Sequence, residues 1–262
     1  MLQVVMDVSK HHKSVYVVAF SGLIAQATLS VWFIFTAIAT YAKWTPNNAS
    51  TVTGLIFFEL FSYLWTSQVI GNVCLATMAG GPYGGWYYFG PSNMGQMPKN
   101  PSLSAFVRAS TLSLGSIAFG SLIVTLLELL RIILNSIRAN AAESGSPVEA
   151  ALACCAACFV GCIESLVEYF NRYAYIEIAL YGKPYIPAAK DTWRLFKDRG
   201  IDALINDSLT GIALTLASAI EAGVSTIFVG LGEDPHVLAE RSPGLFEMIR
   251  ETYPDVVRPV GV

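Results

Sequence analysis

The chain has 262 residues, of which 54% are hydrophobic and only 13% are charged. Soluble globular domains carry about 25% charged residues, so this composition indicates an integral membrane protein. The formal net charge is −3. Because no basic stripe stands outside the loops between apolar runs, the sequence argues against a nucleic-acid partner.

Five long apolar runs predict the fold class, which is all-α: a polytopic integral membrane helical bundle with about five membrane helices plus an amphipathic interfacial helix. An apolar run of about 20 residues is long enough to cross the bilayer as a helix. The predicted spans are residues 14–42, 51–79, 109–134, 148–181 and 208–231. The domain division follows from them, with a transmembrane helical domain over residues 1–231 and a polar C-terminal tail over 232–262.

The amphipathic interfacial helix is predicted over residues 183–199, which hold five Lys or Arg residues and Trp193. This combination suits a helix lying against anionic cytoplasmic lipid. An ordinary solvated loop helix is the alternative that the pattern leaves open. Before it, the glycines and prolines between residues 80 and 98 predict that a regular helix does not continue beyond the second span.

Positive charge is unevenly distributed among the connections and predicts the orientation. If all five segments cross, the start of the chain and the connections 81–108 and 182–200 lie on one side and hold most of the Lys and Arg residues. The positive-inside rule makes this side cytoplasmic.

The fourth run combines a membrane-like sequence with charges. Glu164, Glu168 and Arg172 recur every four residues and share one helical face, and Glu177 follows in an apolar stretch. Such a segment either lies in the lipid interface or turns its charged face into a protein interior or an aqueous cavity. The pattern leaves open whether residues 148–181 span the membrane or lie at its surface.

The sequence predicts neither a metal site nor a cofactor. Four cysteines lie at positions 154, 155, 158 and 162, but no histidine is near them and the paired spacing of zinc sites is missing. Small, polarizable packing residues are the simpler interpretation. Phosphotransferases that act on lipid head groups need an aspartate cluster for metal and phosphate, which no span contains. We therefore predict that the chain is not an enzyme and has no catalytic residue.

The second predicted span carries polar side chains at helical spacing. Gln68 and Asn72 are four residues apart, with Glu59, Tyr63 and Trp65 before them. Amides in hydrocarbon need partners, so this face is expected to point into the bundle. Hydrogen bonding between helices and a role in substrate binding both remain open.

Several strings resemble the choline transporter-like family, and within it the fungal branch named for pH-nine sensitivity. The strings NRYAYIEIALYGKPY, AAKDTWRLF and GIDALINDSL are similar to the signature region of that family. The earlier strings SYLWTSQVIGNVCLATMAG and YGGWYYFG agree in order and spacing, so the resemblance covers about residues 55–231. It implies that the chain corresponds to the C-terminal portion of a longer transporter.

The resemblance implies membrane transport of a small organic cation or amino alcohol such as choline or ethanolamine. A quaternary ammonium ion cannot donate a hydrogen bond from its nitrogen, so its site needs aromatic faces and a carboxylate. The predicted substrate-binding residues are Glu59, Tyr63, Trp65, Gln68, Asn72, Tyr173, Tyr175, Glu177 and Glu221.

The expected partners are a choline-like small-molecule cation and the lipid bilayer, and homo-oligomerisation is left open. The expected location is the plasma membrane. The alternative function is a non-transporting membrane scaffold or a truncated accessory protein. Convergence of the polar faces of the second, fourth and fifth spans on one cavity would favour the transporter.

Overall fold

The structure is a computed structural model that describes residues 2–45, 49–90, 99–199 and 218–252. In these residues all regular secondary structure is helical, which confirms the predicted all-α class. The helices are α1 (Leu2–His11), α2 (Ser14–Trp44), α3 (Ala49–Met78), α4 (Gly84–Phe89), α5 (Pro101–Ser110), α6 (Leu114–Glu143), α7 (Pro147–Tyr181), α8 (Tyr185–Arg199), α9 (Ser218–Glu233), α10 (Pro235–Arg241) and α11 (Pro243–Thr252).

Three of these helices, α2, α6 and α7, are long and apolar enough to cross a membrane. Large apolar side chains project from their surfaces, and Phe35, Leu126 and Phe159 are each at least half exposed. A helix satisfies its own backbone hydrogen bonds, so such a surface is stable against lipid. The integral membrane character predicted from composition is confirmed.

Three of the predicted spans differ from the observed helices in their bounds or in their apolar character. The third starts at Leu114 rather than at residue 109, because hydrogen bonds from Thr111 N to Val107 O and from Ser113 N to Arg108 O close the separate helix α5. The second forms as α3, which is not among the three helices that are long and apolar enough to cross a membrane. The fifth is described only from Ser218, so its predicted start at residue 208 lies outside the described residues.

The helix α3 does not stop at the glycines that follow it. A five-residue π-helix, Ala79–Tyr83, joins it to α4 with helical backbone angles on both sides. Pro82 lies inside this turn and has no N–H to donate, which favours a departure from the regular α-helical ladder. The regular α-helix therefore does not continue beyond the second span, as predicted, but the chain stays helical as far as Phe89.

Two compact units make up the chain. The first contains residues 1–23, 71–117 and 172–262, as far as they are described, and the second contains residues 24–70 and 118–171. In the second unit, Asn171 donates to the backbone oxygen of Gly120 at 3.1 Å, which ties α7 to α6.

The core of the first unit is built around buried tyrosines. Tyr83 packs with Val5, Val8 and Ile227, and its hydroxyl lies 3.1 Å from the hydroxyl of Ser9. The start of the chain is thereby held against the π-helix and α9. Burial of such a side chain contributes about 1.5–3 kcal/mol.

A second apolar cluster in the same unit holds the last described residues. Tyr87, Leu231, Leu238 and Ile249 are buried together, so α10 and α11 pack against α4 and α9. Much of the region after residue 231, although polar in composition, is thus folded against this unit. The domain boundary at residue 231 stays a prediction.

Close contact between α9 and the tyrosines depends on two glycines. A methyl group added at Gly223 would lie 2.6 Å from the Tyr83 ring, and one at Gly230 would lie 2.7 Å from the Tyr87 ring. Both distances are shorter than carbon atoms tolerate, so a side chain at either position would separate the helix from the aromatic rings.

We expect Gly230→Ala to lower the thermal stability of the full chain in detergent, because overpacking typically costs about 1–3 kcal/mol. Its matched control is Gly54→Ala, within α3, where a methyl group meets no atom within 4 Å. Both substitutions raise helix propensity by about 1 kcal/mol, so only the packing differs. Equal unfolding temperatures for the two variants would contradict the close packing of α9.

Candidate functional site

Two tyrosines and one carboxylate form a hydrogen-bonded cluster in the first unit. The hydroxyls of Tyr88 and Tyr181 are 2.6 Å apart, and the distances from them to Asp234 Oδ2 are 2.9 and 3.4 Å. The two hydroxyls carry one hydrogen each, so only two of these three contacts can be hydrogen bonds at the same time. The distances favour donation from Tyr181 to Tyr88 and from Tyr88 to the carboxylate. Tyr87 also donates to the backbone oxygen of Asp234, at 3.1 Å.

Each member of this cluster stands at the end of a helix. Tyr181 is the last residue of α7, and Gly182 after it takes the left-handed φ of 68° that favours glycine. Tyr88 lies in the last turn of α4, before Gly90. Asp234 separates α9 from α10, whose first residue is Pro235. The cluster therefore joins three helix ends that are far apart in sequence.

An ion-pair network continues from the cluster along α7 and α8. Lys183 Nζ lies 2.7 Å from Asp191 and 3.6 Å from Glu177, and it also lies over the ring of Tyr181 at 4.8 Å. Asp191 accepts a second ion pair, from Arg194 at 2.7 Å. A single lysine thus faces two carboxylates and an aromatic ring.

Lys183 is held in its charged form by these neighbours. Partial burial opposes the charge, but the hydrogen bond to Asp191 and the charges of Glu177, Asp191 and Glu233 outweigh it and raise the pKa of Lys183. A lysine with a raised pKa stabilises the fold fully below its ordinary value of 10.5, and this contribution is lost as the pH rises above that value.

The carboxylate of Glu177 is fully buried, and neither of its oxygens has a hydrogen-bond partner among the described residues. Tyr173, Glu177 and Tyr181 recur every four residues and share one face of α7. Lys183, which lies 3.6 Å from Glu177, also lies over the ring of Tyr181 and so links the buried carboxylate to the tyrosine cluster. A buried negative charge beside tyrosine rings is an arrangement that attracts a cation.

A cavity of about 1090 Å³ opens beside the tyrosine cluster. Its walls are the face of the π-helix and α4 that carries four glycines, one face of α5, and the end of α7. The rings of Tyr88 and Tyr181 line it. Among the described residues that line it, none belongs to the predicted substrate-binding set.

Two of the predicted residues of the second unit already have partners on α2. Glu59 accepts a hydrogen bond from the hydroxyl of Thr40, while its other oxygen is buried without a partner among the described residues. The hydroxyl of Tyr63 lies 3.0 Å from that of Ser30, and its ring stacks on Phe33 at 4.7 Å. One face of the Tyr63 ring is therefore covered.

The two other predicted residues of this unit lie further along α3. Trp65 donates from Nε1 to the backbone oxygen of Ala118 at 2.9 Å, and its ring stacks on Phe61. Gln68 is half-buried. Hydrogen bonding between helices therefore accounts for Trp65, and substrate roles for all four residues stay a prediction.

The remaining predicted residues belong to the first unit. Tyr173 is buried, with its ring edge-on to Phe196 and Phe228, which is a packing role. Tyr175 is also buried, and its ring lies 6.4 Å from that of Tyr185.

For two predicted polar residues of the first unit, a substrate role stays a prediction. Asn72 is half-buried on α3. The side chain of Glu221 lies outside the described residues. Of the predicted set, Glu177 is the residue that the structure joins to the tyrosine cluster and the ion-pair network.

Sequence reasoning missed Tyr88, Tyr181, Lys183 and Asp234. Weak signals exist for three of them: Tyr88 stands in the string YGGWYYFG, and Tyr181 and Lys183 flank a glycine at the end of α7. Asp234 falls in the predicted polar tail, where a carboxylate has no predictive value. Within the described parts of the chain, His, Cys, Asp and Glu form no group of three or more suited to a metal ion.

Comparison with known proteins identifies relatives over nearly the whole chain. Residues 1–254 match the family described as plasma-membrane choline transporter. A protein of Cryptococcus neoformans var. neoformans serotype D, named Protein PNS1, is 57% identical over 319 residues that cover 99% of this chain and 58% of that protein. Proteins of the same name from Mycosarcoma maydis and Saccharomyces cerevisiae are 41% and 35% identical, covering 99% and 98% of this chain and 59% of each relative. These matches confirm the resemblance found in the sequence.

The chain spans somewhat under three fifths of the length of these relatives. The match to the first of them extends over 319 residues, whereas this chain has 262. The relative therefore carries residues within the matched range for which this chain has no counterpart.

We expect the hydroxyls of Tyr88 and Tyr181 to stabilise the fold jointly. Removing either by Phe substitution is expected to cost about 1 kcal/mol of unfolding free energy, the usual contribution of a hydrogen bond. Because the two hydroxyls serve the same carboxylate, the double variant is expected to lose less than the sum of the single losses. Thermal unfolding of the single and double variants measures the coupling, with Tyr41→Phe, at an exposed ring, as the control. Additive losses would show that the hydroxyls act independently.

We expect Lys183→Met to destabilise the fold more than Glu177→Gln does. Removing one partner of a buried ion pair costs about 3–5 kcal/mol, and the one-third exposure of Lys183 reduces this to about 2 kcal/mol. Adding Glu177→Gln to Lys183→Met removes the uncompensated carboxylate and is expected to restore part of the loss. Unfolding in denaturant measures the free energy of unfolding of all three variants. A double variant that is less stable than Lys183→Met alone would contradict the pairing of Lys183 with Glu177.

Proposed function

This chain belongs to the plasma-membrane choline transporter family, and from that premise we propose that it acts in moving a small organic cation, such as choline or ethanolamine, across the membrane. The family match over residues 1–254 carries the proposal. We further propose that the membrane is the plasma membrane. The proposal involves no catalytic step.

The site that we propose for the cation is the region around Glu177. Its carboxylate is buried, lacks a hydrogen-bond partner among the described residues, and pairs with Lys183, which lies over the ring of Tyr181. A quaternary ammonium ion requires this combination of aromatic rings and a negative charge, since it has no hydrogen to donate from nitrogen. Lys183 neutralises part of the charge, so a cation would compete with it for Glu177.

A second candidate function is that of a membrane scaffold or accessory protein that does not transport. It is favoured by the comparison with the Cryptococcus relative, which contains residues within the matched range that have no counterpart in this chain. Residues lost from a transporter could remove part of a substrate pathway while leaving a folded membrane domain. A measurement of uptake separates the two functions.

The test is uptake of radiolabelled choline into proteoliposomes that contain this full chain, beside a parallel set with the Cryptococcus relative. We expect uptake by both, and competition by unlabelled ethanolamine. Uptake by the relative alone would overturn transport by this chain and leave the scaffold function. Uptake by neither would overturn the choline-type substrate.

The contribution of the proposed cation site is measured in the same assay. We expect Glu177→Gln to reduce choline uptake at least about tenfold, because loss of a charged contact in a desolvated site costs about 1.5–3 kcal/mol. The control is Glu149→Gln, which removes an exposed carboxylate in the first turn of the same helix. Equal uptake by the two variants would exclude Glu177 as the cation's partner, even if transport itself were found.

A further inference from the structure

Glycines form one wall of the 1090 Å³ cavity. A methyl group at Gly81 would lie 2.9 Å from the backbone oxygen of Pro101, and one at Gly84 would lie 2.5 Å from a side-chain carbon of Leu180. The helices that enclose the cavity therefore approach each other more closely than any side chain would allow. Its volume of about 1090 Å³ lies just above the range of about 300–1,000 Å³ found for small-molecule sites, and it is larger than a small cation requires.

The charge of the cavity is positive. Lys99 and Arg108 line it, and none of the described lining residues is acidic. Arg108 donates one hydrogen bond to the backbone oxygen of Gly80, at 3.0 Å, and its other N–H donors have no partner among the described residues. Lys99 is exposed and has no ion pair within the described chain. Two uncompensated positive charges repel a cationic substrate, so this cavity and the proposed cation site differ in the ligand that they suit.

The helix α5 gives the cavity an apolar side that continues onto the protein surface. Asn100, Ser104 and Arg108 recur every four residues and present polar groups to the cavity, and Leu103 and Val107 line it between them. Leu103 is 60% exposed and Val107 is 51% exposed. Such exposure of apolar side chains is unfavourable in water but not in contact with lipid. A helix with exposed apolar side chains and a positive charge near each end is typical of the membrane interface.

We propose that this cavity binds an anionic phospholipid, with its phosphate group near Lys99 and Arg108 and its acyl chain along Leu103 and Val107. Basic pockets between helices at the cytoplasmic side of membrane proteins take such head groups. Charge complementarity selects an anionic over a zwitterionic lipid, and the continuous apolar surface selects a lipid over a soluble phosphate. The positive-inside interpretation of the connection 81–108 places the cavity at the cytoplasmic leaflet, where anionic lipids are concentrated. Lipid binding here does not depend on choline transport.

The experiment measures binding of two short-chain lipids to the purified full chain in neutral detergent. Dioctanoyl phosphatidylserine and dioctanoyl phosphatidylcholine have the same chains and differ in net charge. We expect the serine lipid to bind more tightly, and Lys99→Gln or Arg108→Gln to weaken it by about fivefold each while binding of the choline lipid is unchanged. Equal binding of the two lipids, or an unchanged affinity in the double variant, would overturn the proposal.

Two control variants distinguish a lipid site from non-specific attraction and from a structural role of Arg108. Arg138→Gln removes an exposed cation of the second unit and is expected to leave lipid binding unchanged; a matching loss would show non-specific attraction. Arg108→Lys keeps the charge and is expected to retain most of the binding, whereas a loss as large as that of Arg108→Gln would point to a structural role and count against the proposal. Binding of inorganic phosphate as tight as that of the lipid would replace the lipid with a small anion.

Discussion

The burial of one carboxylate, Glu177, constrains the end of α7 and the start of α8. Removing an ionised carboxylate from water costs several kcal/mol unless an opposite charge is close. That charge comes from Lys183, six residues later, and it reaches Glu177 only because the chain reverses at Gly182 in the left-handed conformation. Lys183 in turn is held by Asp191 on α8. One buried charge therefore determines where α7 ends and how the amphipathic helix begins.

The tyrosine cluster extends this arrangement to the C-terminal region. Asp234 accepts a hydrogen bond from Tyr88 of α4, which itself accepts one from Tyr181 of α7. Directly after Asp234, α10 and α11 cover Tyr87 with apolar side chains. The proposed cation site and the proposed lipid cavity share Tyr88 and Tyr181, which are hydrogen-bonded to each other and both line the cavity. A ligand that displaces either ring would alter the environment of the buried carboxylate.

The sequence predicts the long helices well, because hydropathy over a span is a local property. The helix α7 is predicted over 148–181 and observed over Pro147–Tyr181, where no glycine turn or proline interrupts the run. The sequence does not predict that the helical backbone continues through Gly80. This continuation depends on the close approach of Gly81 to Pro101, and the helix propensities of single residues contain no information about such a long-range contact. Of the site residues, Glu177 can be found because a charge in an apolar run is conspicuous. Asp234 cannot, because its partners are 146 and 53 residues away.

The π-helix at Ala79–Tyr83 has a consequence for how this region tolerates change. In an α-helix each residue advances the side chains by about 100°, and a π turn accommodates one residue more than an α turn. The direction in which the side chains of Trp86 to Phe89 point therefore depends on the number of residues in the π-helix rather than on the identity of those residues. Deleting one residue here would rotate Tyr87 away from Leu231 and Tyr88 away from Asp234 together, while leaving the composition of the helix almost unaltered. The number of residues in this segment therefore sets the direction of the aromatic side chains that follow, and insertions or deletions have larger effects there than substitutions.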